Sequence, residues 1–192
     1  LAVNLIKDVF HKENEYLLDQ GPKIQNFIDH INRTTSTIEM TIILEDIFIY
    51  FKDLIGKNVL TEKLSISKGV SHGKVSFCRI DTNHGKLRFE KMHFCQNIPT
   101  VLHTHPEFII DEIILGSLSE ECFRKNGNGL YSYQESHNRQ VGDRQKVYDP
   151  FGHPHKVIAK NEDCLTACLY LGHEDVKEIF STHPHSINNT SH

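Results

Sequence analysis

From about residue 58 the chain breaks into short β-rich runs, and this pattern restricts its possible folds more than any other feature. KVSFCRID, KLRFEKMHFC, FIIDEIILGSL, GLYSYQES, QKVYD, HKVIA and CLTACLYL follow one another closely. Turn signals separate them at Ser71-His72-Gly73, Asn83-His84-Gly85, Asn126-Gly127-Asn128-Gly129 and Pro150-Phe151-Gly152. Many short, closely spaced strands predict a β-sandwich or a small barrel. No repeat of solenoid type is present.

The N-terminal third reads differently. In PKIQNFIDHIN, Pro22 suits a first helical turn, and Ile24, Phe27, Ile28 and Ile31 fall on one stripe at i, i+3, i+4, i+7 spacing. Residues 36 to 55 predict a longer apolar helix stopped by Gly56. EDVKEIF near the C-terminus reads as a short helix before a polar tail. The expected organisation is one domain of 192 residues. It has a helical segment over residues 1–57, a β-barrel over 58–173, and a short helix with tail over 174–192.

Composition narrows the functional classes. The net charge of -4 and the lack of a dense Lys/Arg stripe argue against nucleic acid or an anionic membrane as the main partner. TIILEDIFIYFKDLIG is the most membrane-like stretch, but Glu45, Asp46, Lys52 and Asp53 interrupt it. LAVNLIKDVF has neither a charged n-region nor a small-residue cleavage site, so it does not read as a signal peptide. The 5 cysteines form no C-x-x-C pair, which points away from a disulfide framework and towards a reducing cytoplasm.

Among the 14 histidines, His103 and His105 stand two apart, ahead of an apolar run that ends at Gly116. In an extended strand their side chains project to the same face. A metal site needs more than two ligands, and DPFGHPHKV offers His153 and His155 beyond a Pro-Gly turn. A polar barrel mouth without a metal is the plain alternative.

These two segments together resemble the signature motifs of the cupin superfamily, the double-stranded β-helix (jelly-roll) barrels. His103-Thr104-His105 leading to Gly116 is similar to the first motif. Pro150, Gly152 and His155 match the second, P-x-G-x-x-H. The resemblance implies a mainly β jelly-roll barrel behind N-terminal α-helices, with His103, His105 and His155 as metal ligands. Relatives with a fourth, carboxylate ligand place a glutamate where this chain has Ile109 and Ile110. Glu107 comes early, and Asp111 and Glu112 come late unless a bulge brings one of them into place. A site of three histidines without a carboxylate resembles the thiol dioxygenase branch, of which cysteine dioxygenase is the best known. LGSLSEECF and HKVIAKNEDCLTACLYL are similar in texture to that branch, over roughly residues 75 to 172.

That resemblance implies iron(II) as the metal, with a small thiol or amino-acid derivative and O2 as substrates. Spacing alone permits zinc, manganese or nickel equally. It also implies that Arg79 is a carboxylate-binding cation, with Arg88 as its competitor, and that Tyr170 is a donor to bound oxygen or substrate. Solvent-facing and core roles are the plain alternatives for Arg79 and Tyr170. Where the branch carries Ser-x-His-x-Tyr, this chain reads Thr166, Cys168 and Tyr170, so the histidine that would orient the tyrosine is replaced by Cys168. A second reading is a metal-dependent lyase, isomerase or hydroxylase with Glu112 or Tyr170 as acid or base. A third is a non-catalytic metal- or ligand-binding cupin. The chain is expected to be a monomer or a homodimer.

Overall fold

The computed structural model describes residues 21–105, 108–147, 154–173 and 177–178. Among the described residues three helices precede the strands: α1 (Gly21–Arg33), α2 (Thr37–Ile55) and α3 (Lys57–Thr61). Ser36 caps α2, its Oγ accepting from the Glu39 amide at 3.4 Å. Gly56 ends α2 with a positive φ of 81°, and its N–H donates to the Lys52 carbonyl. Met40, Ile43, Leu44, Ile47, Phe48 and Phe51 form the buried stripe between these caps. Among the described residues no helix is long and apolar enough to cross a membrane.

Ten strands follow. They are β1 (His72–Thr82), β2 (Gly85–Phe94), β3 (His103–Thr104), β4 (Phe108–Leu115), β5 (Ser117–Lys125), β6 (Tyr131–Gln140), β7 (Arg144–Val147), β8 (His155–Ile158), β9 (Cys164–Gly172) and β10 (Lys177–Glu178). They pair into two five-stranded sheets of order β1-β2-β9-β4-β7 and β10-β3-β8-β5-β6. Every strand pairing is antiparallel. The fold is therefore mainly β, a two-sheet jelly-roll barrel with helices at its N-terminal end.

Alternation along the first sheet divides its side chains between two environments. Leu87, Phe89, Ile110, Ala167, Leu169 and Leu171 face the helices and pack with Ile43, Leu44, Ile47, Phe48 and Phe51. The other face looks across at the second sheet. Phe94, Ile113 and Cys164 meet Leu118 and Val157 there in a smaller core. The residues left over on that inner face are mostly polar, and these build the site.

The structure departs from the sequence reading in three places. FIIDEIILGSL reads as one run, but Gly116 breaks it into β4 and β5, which belong to different sheets. Gly116 has φ of 77°, and a Cβ there would stand 2.5 Å from the Asp163 carbonyl oxygen, so no other residue fits this crossing without strain. The helical part runs to Thr61, past the expected boundary at residue 57. Within EDVKEIF, Lys177–Glu178 form strand β10 in place of a helix. The open edge of β3 offers these two residues backbone partners, and the rest of EDVKEIF lies outside the described residues.

Candidate metal centre

Register brings the three histidines together. His103 of β3 lies directly opposite His155 of β8, and His105, two residues on, projects from the same face. The His105 and His155 Nε2 atoms lie 2.7 Å apart, and those of His155 and His103 lie 3.1 Å apart. One ligand nitrogen from each falls within 4.8 Å of the others. Metal–nitrogen bonds of about 2.0–2.1 Å at right angles would set the nitrogens about 2.9 Å apart, so the cluster fits one first-row ion.

Protonation and tautomer agree with that fit. Burial and the neighbouring His155 push His103 down to about 4. Burial, His155 and His103 hold His105 well below the ordinary histidine value. Both are therefore neutral at pH 7, as ligands must be. His103 Nδ1 donates to the Val101 carbonyl at 2.9 Å, and His155 Nδ1 donates to Glu120 Oε1 at 2.7 Å. Each bond leaves the Nε2 lone pair pointing into the cluster. Pro150 and Gly152, which complete the second motif, lie outside the described residues, as do His153 and Glu107.

The two late carboxylates are engaged elsewhere. Asp111 faces the barrel interior opposite Cys168, where the Arg139 guanidinium grips both of its oxygens. Burial raises its carboxyl above the usual value, and Arg139 opposes that rise. Glu112 turns to the helix side, opposite Ala167. There it is held by Lys52 Nζ at 2.6 Å and by Arg144 Nη2 at 2.6 Å. It faces away from the cluster and cannot serve there as ligand, acid or base.

Tyr170 does reach the cluster. Its ring stacks on His105 with centroids 5.7 Å apart, and the Arg88 guanidinium lies over it at 5.2 Å. Burial, together with Cys168 and Glu90, pushes its phenol well above the ordinary value, so it holds its proton at pH 7. Ile109 faces the same interior beside Tyr170 and Cys168. Of the two arginines, Arg79 is exposed on edge strand β1, directly opposite Arg88 on β2. Arg88 is the buried one.

Glu120 and Arg139 were not singled out from the sequence. The available signal was the Glu120-Glu121 pair inside a strand, because alternation must turn one of two adjacent glutamates inwards. Glu120 is the one that is buried, and Glu121 is exposed.

Burial raises the thiols of Cys164 and Cys168 to about 12, with Asp111 adding to the rise at Cys168. In the unfolded chain both titrate near 9. Between these values the unfolded state holds fewer protons, so stability is present below pH 9 and is lost as pH rises towards 12. Denaturant midpoints measured from pH 8 to 11 should fall. Replacing both cysteines by serine or alanine should flatten that fall.

No protein-family model and no curated protein sequence matches the chain. Solved structures do. DMSP lyase DddQ from Ruegeria pomeroyi DSS-3 is 12% identical with a TM-score of 0.47, over 65% of this chain and 59% of that one. Oxalate oxidase in complex with glycolate is 11% identical with a TM-score of 0.46, over 62% of this chain and 60% of that one. A cupin-2 domain containing protein from Shewanella frigidimarina NCIMB 400 is 19% identical with a TM-score of 0.37, over 52% of this chain and 79% of that one. The chain thus spans less than two thirds of the length of the first two. All three TM-scores lie below 0.5.

Proposed function

We propose that this chain is a metal-dependent oxidoreductase, an iron(II) dioxygenase acting on a small thiol or amino-acid-derived substrate. The observation that carries the reading is the ligand set. Three imidazole nitrogens converge, and Asp111 and Glu112 are bound to cations elsewhere. An iron(II) held by three neutral imidazoles would supply one-electron chemistry and open positions for a thiolate and an amine.

The chain's own residues have separate tasks. Tyr170, protonated and stacked on His105, donates a hydrogen bond or a proton beside the cluster and does not act as a base at pH 7. A substrate carboxylate needs a cation, and a guanidinium can grip it with two parallel hydrogen bonds. Arg88 is the closer candidate through its contact with Tyr170. Arg79 stands on the open edge of the same face, where it can meet a substrate on its way in.

The test is metal analysis of protein purified without oxygen, followed by oxygen uptake against a panel of small thiols. Iron-dependent uptake is expected, with Arg88→Ala raising KM at least tenfold and Arg79→Ala raising it less. Bound zinc with no uptake for any thiol would sink the reading. Turnover without oxygen would favour a lyase or isomerase in which Tyr170 serves as the acid.

A further inference from the structure

We propose that Glu120 is a positioning residue for the histidine cluster, ion-paired with Arg139 and acting on His155 through its Nδ1. The inference rests on the metal-centre reading and assigns a task to buried charges that none of the motifs contains.

A neutral imidazole exists as two tautomers, and only the one protonated at Nδ1 offers a lone pair at Nε2. The three histidines differ in what faces Nδ1. His103 uses a backbone carbonyl, that of Val101. His105 Nδ1 is buried without a hydrogen-bond partner among the described residues. Among the described residues, His155 is the one of the three that donates to a carboxylate, Glu120 Oε1 at 2.7 Å. An ionised carboxylate accepts and never donates, so it fixes the tautomer and ring plane of His155 and makes its Nε2 a stronger donor to a metal.

A carboxylate buried this deeply needs its own support. Arg139 Nη1 lies 3.9 Å from Glu120 Oε2, a charge contact beyond hydrogen-bond reach, and that oxygen has no hydrogen-bond partner among the described residues. The same guanidinium donates to Gln145 Oε1 at 2.8 Å and to both oxygens of Asp111. Asp111 and Gln145 stand on β4 and β7 of one sheet, while Arg139, Glu120 and His155 stand on β6, β5 and β8 of the other. The chain Asp111–Arg139–Glu120–His155 therefore crosses the barrel. It ties the placement of one ligand to the spacing of the two sheets.

The test compares Glu120→Ala and Glu120→Gln with the unaltered full chain, using cobalt(II) as the probe metal. Titration followed by the cobalt absorption bands is expected to show Glu120→Ala binding about 10–100-fold more weakly, with shifted bands. Glu120→Gln, which keeps an acceptor at the same place, should recover most of the affinity. A second arm reads the His155 tautomer by nitrogen-15 NMR of the metal-free protein. A single Nδ1–H form is expected in the unaltered chain and in Glu120→Gln, and a mixture in Glu120→Ala. Unchanged cobalt affinity together with an unchanged tautomer in Glu120→Ala would overturn the proposal. Absence of cobalt binding by the unaltered chain would count against the metal centre itself, and the tautomer arm would still decide the role of Glu120.

Discussion

His105→Ala is expected to abolish metal binding at the three-histidine cluster. Losing one of three ligands removes a bond and opens the cluster to water. The loss should therefore exceed the roughly 10–100-fold that follows from removing a hydrogen-bond partner of a ligand. The effect is also visible without turnover. An ion that binds only the folded chain stabilises it by about 2.7 kcal/mol when supplied at 100 times its Kd. Calorimetry of the parent should show that gain with added iron(II) or cobalt(II), and a chelator should remove it. His105→Ala should show no gain at the same metal concentration, whereas His137→Ala, at an exposed position on β6, should keep it. Equal stabilisation of the parent and His105→Ala would mean that any bound ion sits elsewhere.

Arg139→Met is expected to produce the largest loss of stability of any single change at the site. Arg139 is buried and serves Asp111 and Glu120 together. Removing it leaves two carboxylates in the barrel interior without their cation, and breaking a buried pair in this way costs about 3–5 kcal/mol. Denaturant unfolding measures the cost directly. The double variant Asp111→Leu, Arg139→Met should recover part of it, because removing both partners leaves less uncompensated charge. Arg144→Met makes the useful contrast. Its partner Glu112 keeps Lys52 at 2.6 Å, so the loss there should be smaller. Equal losses for Arg139→Met and Arg144→Met would show that Arg139 has no special place.

The strands and the histidines were legible in the sequence because both signals are local. Period-two alternation and Gly/Asn turns marked the strands, and His103 with His105 sits within a single turn-to-strand passage. The partners of the cluster were not legible, because they depend on register between strands far apart in sequence. Glu120 reaches His155 only through the pairing of β5 with β8. Arg79 and Arg88 look equivalent as strand arginines. Only the sheet order, with β1 at the edge and β2 between β1 and β9, makes one exposed and the other buried. Glu112 fails as a fourth ligand for an equally simple reason. One step along β4 from Asp111 turns its side chain to the opposite face.

The separation of the two packing regions bears on how such a chain can change. Most of the apolar burial lies between the helices and the outer face of the first sheet, with Phe48 and Phe89 fully enclosed there. The barrel lumen around the cluster contributes comparatively little hydrophobic adhesion. Substitutions at lumen positions such as Ile109, Cys168 or Tyr170 therefore draw on a stability reserve held elsewhere in the molecule. A scaffold arranged this way can exchange its lining, and with it the molecule it accepts, while the framework that keeps the three imidazoles in place stays as it is.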